Sequence, residues 1–179
     1  MKFLIVYATT EGQTRKIARF VAERLTAAGH STELLGAADA DGVDPGQFDG
    51  AVLAGSIHAG AYQPPLIEFA AAHAATLSGM KTLFLSVSLS AAGDDPEERA
   101  GIDKCAADFF GRTGWRHARL AHVAGAFRFS EYDFFRNMAM RLIARQKGEM
   151  TPRGDDREYT DWAALGVLID AWGPLAGRA

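Results

Sequence analysis

The sequence predicts an α/β fold in which a parallel β-sheet lies between two layers of helices. Three observations carry that expectation. Short apolar runs of strand length recur along the 179 residues. Segments with apolar residues at helical spacing separate them. Glycines and prolines fall at the junctions, where the chain must turn. Strands that alternate with helices pair in parallel through right-handed crossovers, which covers both faces of the sheet.

Lys2–Ala8 is a continuous apolar run, the pattern of a strand buried on both faces. Gln13–Ala28 places Ile17, Val21, Leu25 and Ala28 on one helical face, and Gly29 is set to end that helix. Ser31–Leu35 alternates and reads as the second strand. Gly36–Gly46, with Gly42, Pro45 and Gly46, reads as turn. Ala51–Ile57 is the third strand. Pro64 and Pro65 open a helix through Leu77, because proline is tolerated in a first turn and not further in. Lys81–Ser88 is the fourth strand, Pro96 starts a helix through Phe110, and Arg119–Phe127 is the fifth strand. Glu131–Lys147 has the pattern of an additional helix, and Glu149–Glu158 is polar and loop-like. Thr160 or Asp161 caps a last helix that runs to Trp172. Residues 1–179 read as one domain, with 131–158 inserted before the last helix.

Composition excludes several classes of function. With 48% hydrophobic residues and a formal net charge of −3, the chain has material for a core and is no disordered polymer. So small a charge argues against nucleic-acid binding, and it differs from a strongly acidic soluble electron carrier. Cys105 is the single cysteine, too few for an internal disulfide, a thiolate zinc site or a four-thiolate iron–sulfur cluster. No metal site is expected. Its setting, Cys-Ala-Ala-Asp-Phe-Phe, suits a packing residue better than a reactive thiol. Phe3–Ala8 is too short for a signal-peptide core, and no stretch approaches the ~20 apolar residues that span a bilayer. The expected location is cytoplasmic, with peripheral contact at the inner face of the cell membrane as an addition.

The most informative segment joins the first strand to the first helix: Thr9, Thr10, Glu11, Gly12, Gln13, Thr14. Three hydroxyls and a glycine at a helix N-terminus suit an anion, since free N–H groups and the positive dipole end point there. The simpler reading is a hydroxyl-rich helix cap. The loop is neither a Walker loop nor G-x-G-x-x-G. In doubly wound sheets ligands sit beyond the carboxyl ends of the strands, which favours an anion site. Two further loops lie at that end. One runs from Ser56, Ile57, His58, Ala59 and Gly60 to Tyr62, and the other from Ser86 and Val87 through Ser88, Leu89, Ser90 and Ala91 to Gly93. Both are small, polar and glycine-containing, so backbone groups can reach a flat ring.

Thr9–Thr14, the two later loops and the five-strand spacing together resemble the flavodoxins. That resemblance implies a doubly wound three-layer sandwich with strand order 2-1-3-4-5. It also implies non-covalent FMN, with its phosphate in the first loop and its ring between the other two. The flavodoxin loop has threonine where Glu11 stands here. A carboxylate repels phosphate unless it points outward, so position 11 offers its backbone N–H.

A narrower resemblance covers nearly the whole chain. Glu11-Gly12-Gln13-Thr14, Ala124–Phe129, Gly148–Thr151 and Tyr159-Thr160-Asp161-Trp162 are similar to segments of the menaquinone-dependent protoporphyrinogen dehydrogenases. These are FMN-containing, flavodoxin-like enzymes of haem synthesis with an inserted helical segment late in the fold. The resemblance implies a porphyrinogen substrate and a quinone acceptor.

From Arg112 to Lys147 the chain carries Arg112, Arg116, Arg119, Arg128, Arg136, Arg141, Arg145 and Lys147 against only Glu131 and Asp133. Phe134, Phe135, Met138, Leu142 and Ile143 form a stripe on the expected 131–147 helix. A stripe of this kind packs on a domain in many proteins. A basic helix with aromatics also suits an anionic membrane surface. In a third reading it borders a substrate site in which Arg128 and Arg136 pair with propionates. His58 is a candidate for proton transfer beside the flavin, and Trp115, Trp162 and Trp172 read as packing. Rivals stand beside this enzyme: a flavodoxin-type FMN electron carrier or generic flavodoxin-like quinone reductase, and an interaction module without cofactor, to which Glu11 is the one pointer. The oligomeric state is not encoded in any motif.

Overall fold

The structure, a computed structural model, describes residues 1–127 and 157–173. Five parallel strands form one sheet: β1 (Lys2–Ala8), β2 (Ser31–Gly36), β3 (Gly50–Ser56), β4 (Lys81–Ser88) and β5 (Arg119–Ala124). Their order is β2-β1-β3-β4-β5, as the flavodoxin resemblance implies. The order reverses direction between β1 and β3, and a ligand crevice opens at that switch point.

Alternation along β1 sorts its side chains into two cores. Phe3 and Ile5 face α1 (Gln13–Ala27) and the last helix, α5 (Trp162–Trp172). Ile17, Val21 and Leu25 meet Leu165, Ile169 and Trp172 there. Leu4, Val6 and Ala8 face the other layer, made by α2 (Pro64–Ala72), α3 (Ala74–Gly79) and α4 (Pro96–Thr113). This second core is aromatic: Phe84 stacks on Phe109 with centroids 4.6 Å apart, and Tyr62, Phe110 and Trp115 pack edge-on around them. A run apolar at every position is what a central strand buried on both faces requires.

Four elements differ from the sequence expectation. The Pro64–Leu77 helix divides at His73, whose backbone leaves the helical region (φ −111°, ψ 16°), and the turn seats Leu77 in the second core. The Pro96 helix continues past Phe110 to Thr113 and stops at Gly114. The fifth strand stops at Ala124 rather than Phe127. Gly125 donates to the Ser88 carbonyl, while its own carbonyl accepts from the Tyr159 N–H. At that residue the chain changes partner, and β6 (Ala126–Phe127) pairs antiparallel with β7 (Arg157–Glu158). The end of the expected 149–158 loop is therefore strand. The 131–147 helix expected from the sequence lies outside the described residues.

Cys105 is half-buried against the second core, its thiol 3.2 Å from the Gly60 carbonyl oxygen. Burial pushes that thiol up from its ordinary value, in keeping with a packing role. Among the described residues no helix is long and apolar enough to cross a membrane.

Candidate active site

A cleft opens at the carboxyl end of the sheet, where β1, β3, β4 and β5 release their loops. Thr9, Thr10, Glu11, Gln13 and Thr14 form one wall, with Ser56, Ile57 and His58 beside them. Val87, Ser88 and Leu89 close the next side, and Gly125 and Ala126 complete it. The three loops singled out in the sequence thus converge.

The first loop is shaped by Gly12, whose φ of +90° belongs to the left-handed region that glycine enters without a Cβ penalty. Thr9 Oγ1 accepts from the Gly12 N–H at 2.9 Å and closes the turn. Gly12 is the N-cap of α1 and, as a glycine, offers no side-chain cap of its own. The Thr9 hydroxyl does part of the capping that the simpler reading expects, and the same loop lines the cleft. Thr14 Oγ1 lies at a residue only 1% exposed and has no partner, and Gln13 Oε1 is likewise buried and unpaired. Among the described residues no Lys or Arg lines the cleft. An anion there would be held by backbone dipoles, the helix terminus and neutral donors.

Gln63, which sequence reasoning missed, ties two walls together. Its Nε2 donates to Thr10 Oγ1 at 3.0 Å and to Ser56 Oγ at 2.6 Å. Its Oε1 is a third buried oxygen without a partner. Three of the six buried unpartnered side-chain atoms among the described residues thus belong to the cleft or its brace. Buried polar atoms are nearly always paired, so a cluster of exceptions marks a place for a ligand.

The second loop is a tight turn. His58 and Ala61 exchange both backbone hydrogen bonds, at 2.9 and 3.1 Å, across Ala59 (φ 49°) and Gly60 (φ 81°). It sets exposed His58 on the cleft wall, while Ala59 and Gly60 form the outer tip. Tyr62 is corrected from a cleft residue to a core residue. It is 4% exposed, wedged against Phe84 and Phe109, and donates to Ser86 Oγ at 2.8 Å. Gly55 makes room for it, since a Cβ there would stand 2.9 Å from the Tyr62 ring. In the third loop Ser88 and Leu89 reach the cleft, and Ser88 Oγ accepts from the Ala91 N–H at 3.2 Å. Ser90, Ala91 and Gly93 belong to the short turn behind them. Val87, from the same loop, lines the cleft as well, and Gly125 and Ala126 were not singled out as cleft residues by the sequence. Arg128 and Arg136 lie outside the described residues.

The sequence matches the flavodoxin domain family over residues 4–153. The chain belongs to that family. Within this flavodoxin-domain protein, residues across 90% of the chain align at 32% identity with protoporphyrinogen IX dehydrogenase [quinone] of Escherichia coli K12, covering 89% of that enzyme. An enzyme of the same name from Leishmania major is 27% identical, over 92% of this chain and 71% of its own length. Among solved structures, an NADH:FMN oxidoreductase in its apo form superposes with a TM-score of 0.57 at 14% identity, covering 99% of this chain and 91% of its own. A cysteine-to-serine mutant of the flavodoxin from Pseudomonas aeruginosa gives a TM-score of 0.52 at 20% identity, over 81% of this chain and 95% of its own. At those identities the structural matches speak for the fold.

Proposed function

We propose that this flavodoxin-domain protein is an FMN-dependent protoporphyrinogen IX dehydrogenase that passes its electrons to a quinone, menaquinone among them. The observation that carries the proposal is the 32% identity extending over nine-tenths of the chain to an enzyme of that name. The cleft fits the cofactor. The N-terminus of α1, with Thr14 Oγ1, suits a phosphate, and the unpaired Gln13 Oε1 suits a hydroxyl donor. Ile57, Val87 and Leu89 offer apolar surface to a flat ring. FMN, when bound, supplies two-electron acceptance at its ring system.

The chain's own residues then bind, orient and shield. Thr9 and Gly12 hold the phosphate loop in shape, and Gln63 fixes its distance from the β3 loop. His58, on the cleft wall, receives or returns a proton in this reading. Arg128 and Arg136 pair with the substrate's carboxylates. The basic 131–147 segment rests against an anionic membrane, where the quinone is dissolved.

Conversion of protoporphyrinogen to protoporphyrin removes six hydrogens, so three quinones are reduced for each porphyrin formed. Anaerobic incubation of the full chain with FMN, protoporphyrinogen IX and menaquinone is expected to yield fluorescent porphyrin at that ratio. Reduction of flavin without porphyrin would instead identify an electron carrier. Arg128→Gln and Arg136→Gln are expected to raise the Michaelis constant for the porphyrinogen; an unchanged constant removes them from the site. Flotation with anionic liposomes is expected to fail when 131–147 is deleted.

A further inference from the structure

The turn before α5 contains a hydroxyl that the helix does not use. The sequence left Thr160 and Asp161 as alternative caps, and the structure chooses Asp161, whose carboxylate accepts from the Ala164 N–H at 2.9 Å. Thr160 is 9% exposed and turns the other way. Its Oγ1 donates to the carbonyl oxygen of Ala124, the last residue of β5, at 2.7 Å. A hydroxyl has one proton to give, so toward its other neighbour Thr160 can only accept. That neighbour is Gln13 Nε2, 2.9 Å away. An acceptor on that side sets the amide orientation, NH2 toward Thr160 and Oε1 away from it.

Gln13 is the first residue of α1 and stands on the cleft wall. One helical turn on, Lys16 bonds Glu158 at 3.1 Å, and Glu158 also accepts from Trp162 Nε1 at 2.7 Å. The turn that begins the phosphate site is therefore anchored from outside. Gln63 holds its Thr10 side, and the Ala124–Thr160 relay holds its Gln13 side.

We propose that Thr160 is a positioning residue for the flavin phosphate. Acting through Gln13, it sets where the first turn of α1 stands relative to the carboxyl end of β5. Thr160 is not among the cleft-lining residues, so its influence on the ligand passes through the loop. The inference rests on the FMN reading above. It makes a prediction that a general packing role does not: loss of the hydroxyl weakens a phosphorylated flavin and spares an unphosphorylated one.

The experiment compares FMN and riboflavin binding to the full chain, the Thr160→Val variant and the Thr160→Ser variant. Thr160→Val is expected to raise the FMN dissociation constant about tenfold. Riboflavin binding is expected to change by less than about twofold. Thr160→Ser restores FMN binding, and the phosphorus resonance of bound FMN moves in the valine variant and returns in the serine variant. Should the valine variant fold poorly, Thr160→Ala removes the same hydroxyl with a smaller side chain and is expected to show the same FMN-selective loss. Unchanged FMN affinity in folded Thr160→Val overturns the proposal, and so does an equal loss of both flavins. A parent chain that binds neither flavin overturns the FMN reading itself, a result distinct from both.

Discussion

Tyr62 and Thr14 are both buried at the carboxyl end of the sheet, and their hydroxyls meet opposite fates. Tyr62 donates to Ser86 at 2.8 Å and packs against Phe84 and Phe109, with ring centroids 5.1 and 5.0 Å away. Burial drives its phenol far above the ordinary value, against the lowering effect of Ser86, so the hydroxyl keeps its proton at any physiological pH. Thr14 is as deeply buried, yet its Oγ1 has no partner, and Gln13 Oε1 beside it has none. Leaving a buried polar atom unpaired costs about 1–3 kcal/mol. The hydroxyl of Tyr62 is satisfied within the protein, whereas the oxygens at Thr14 and Gln13 are not. On the proposed function, the difference separates residues that hold the fold from residues that would hold the cofactor, although both come from loops the sequence marks as binding loops.

Substitutions on the two sides are expected to diverge. Phe84→Ala removes the ring at the centre of the aromatic core and is expected to destabilise the protein by about 3–5 kcal/mol. Denaturant unfolding measures that loss, while FMN affinity of the folded fraction stays the same. Thr14→Val reverses the pattern. It deletes an unpaired hydroxyl, so stability holds or rises by up to about 1 kcal/mol, and FMN affinity falls by more than about tenfold. A valine variant that binds FMN normally would return Thr14 to the structural side. Tyr62→Phe leaves Ser86 Oγ unpaired in the core, with an expected cost of about 1 kcal/mol. Its flavin affinity is expected to be unchanged; a large loss would move Tyr62 back to the site.

The smallest effect is a pH dependence. Burial raises the Glu158 carboxyl, but hydrogen bonds from Lys16, Trp162 and Gln13 outweigh it and hold it below the usual value. A carboxyl depressed in the folded state adds stability above its unfolded pKa of about 4.3, and that stability is lost as pH falls through the folded value. Urea midpoints are expected to fall below about pH 4 in the parent chain, and less steeply in Glu158→Gln. Parallel curves for the two proteins would show that the Glu158 bonds contribute nothing to the anchor.

Much of the fold was legible because its signals are local. The apolar run of β1, the proline starts of α2 and α4, and the turn residues between elements each follow from a few neighbouring residues. The phosphate loop was legible for the same reason, since Thr9, Gly12 and Thr14 are adjacent in sequence. What escaped depends on contacts between distant residues. Gln63 bridges to Thr10 across 53 positions, and Thr160 reaches Gln13 across 147. Tyr62 was misplaced because loop composition cannot tell which way an aromatic ring turns; Gly55 permits the inward turn, since it has no Cβ to strike the ring. The early end of β5 depends on Gly125 being shared between Ser88 and Tyr159, a pairing that no residue near Gly125 announces.

The most direct measurement is a titration of the flavin-free full chain with FMN and with riboflavin, with affinity and stoichiometry read for each. The unpaired oxygens around Thr14 and the helix N-terminus beside them predict one FMN per chain, bound far more tightly than riboflavin. Equal affinity for the two flavins, or no binding of either, would contradict a phosphorylated flavin in this cleft.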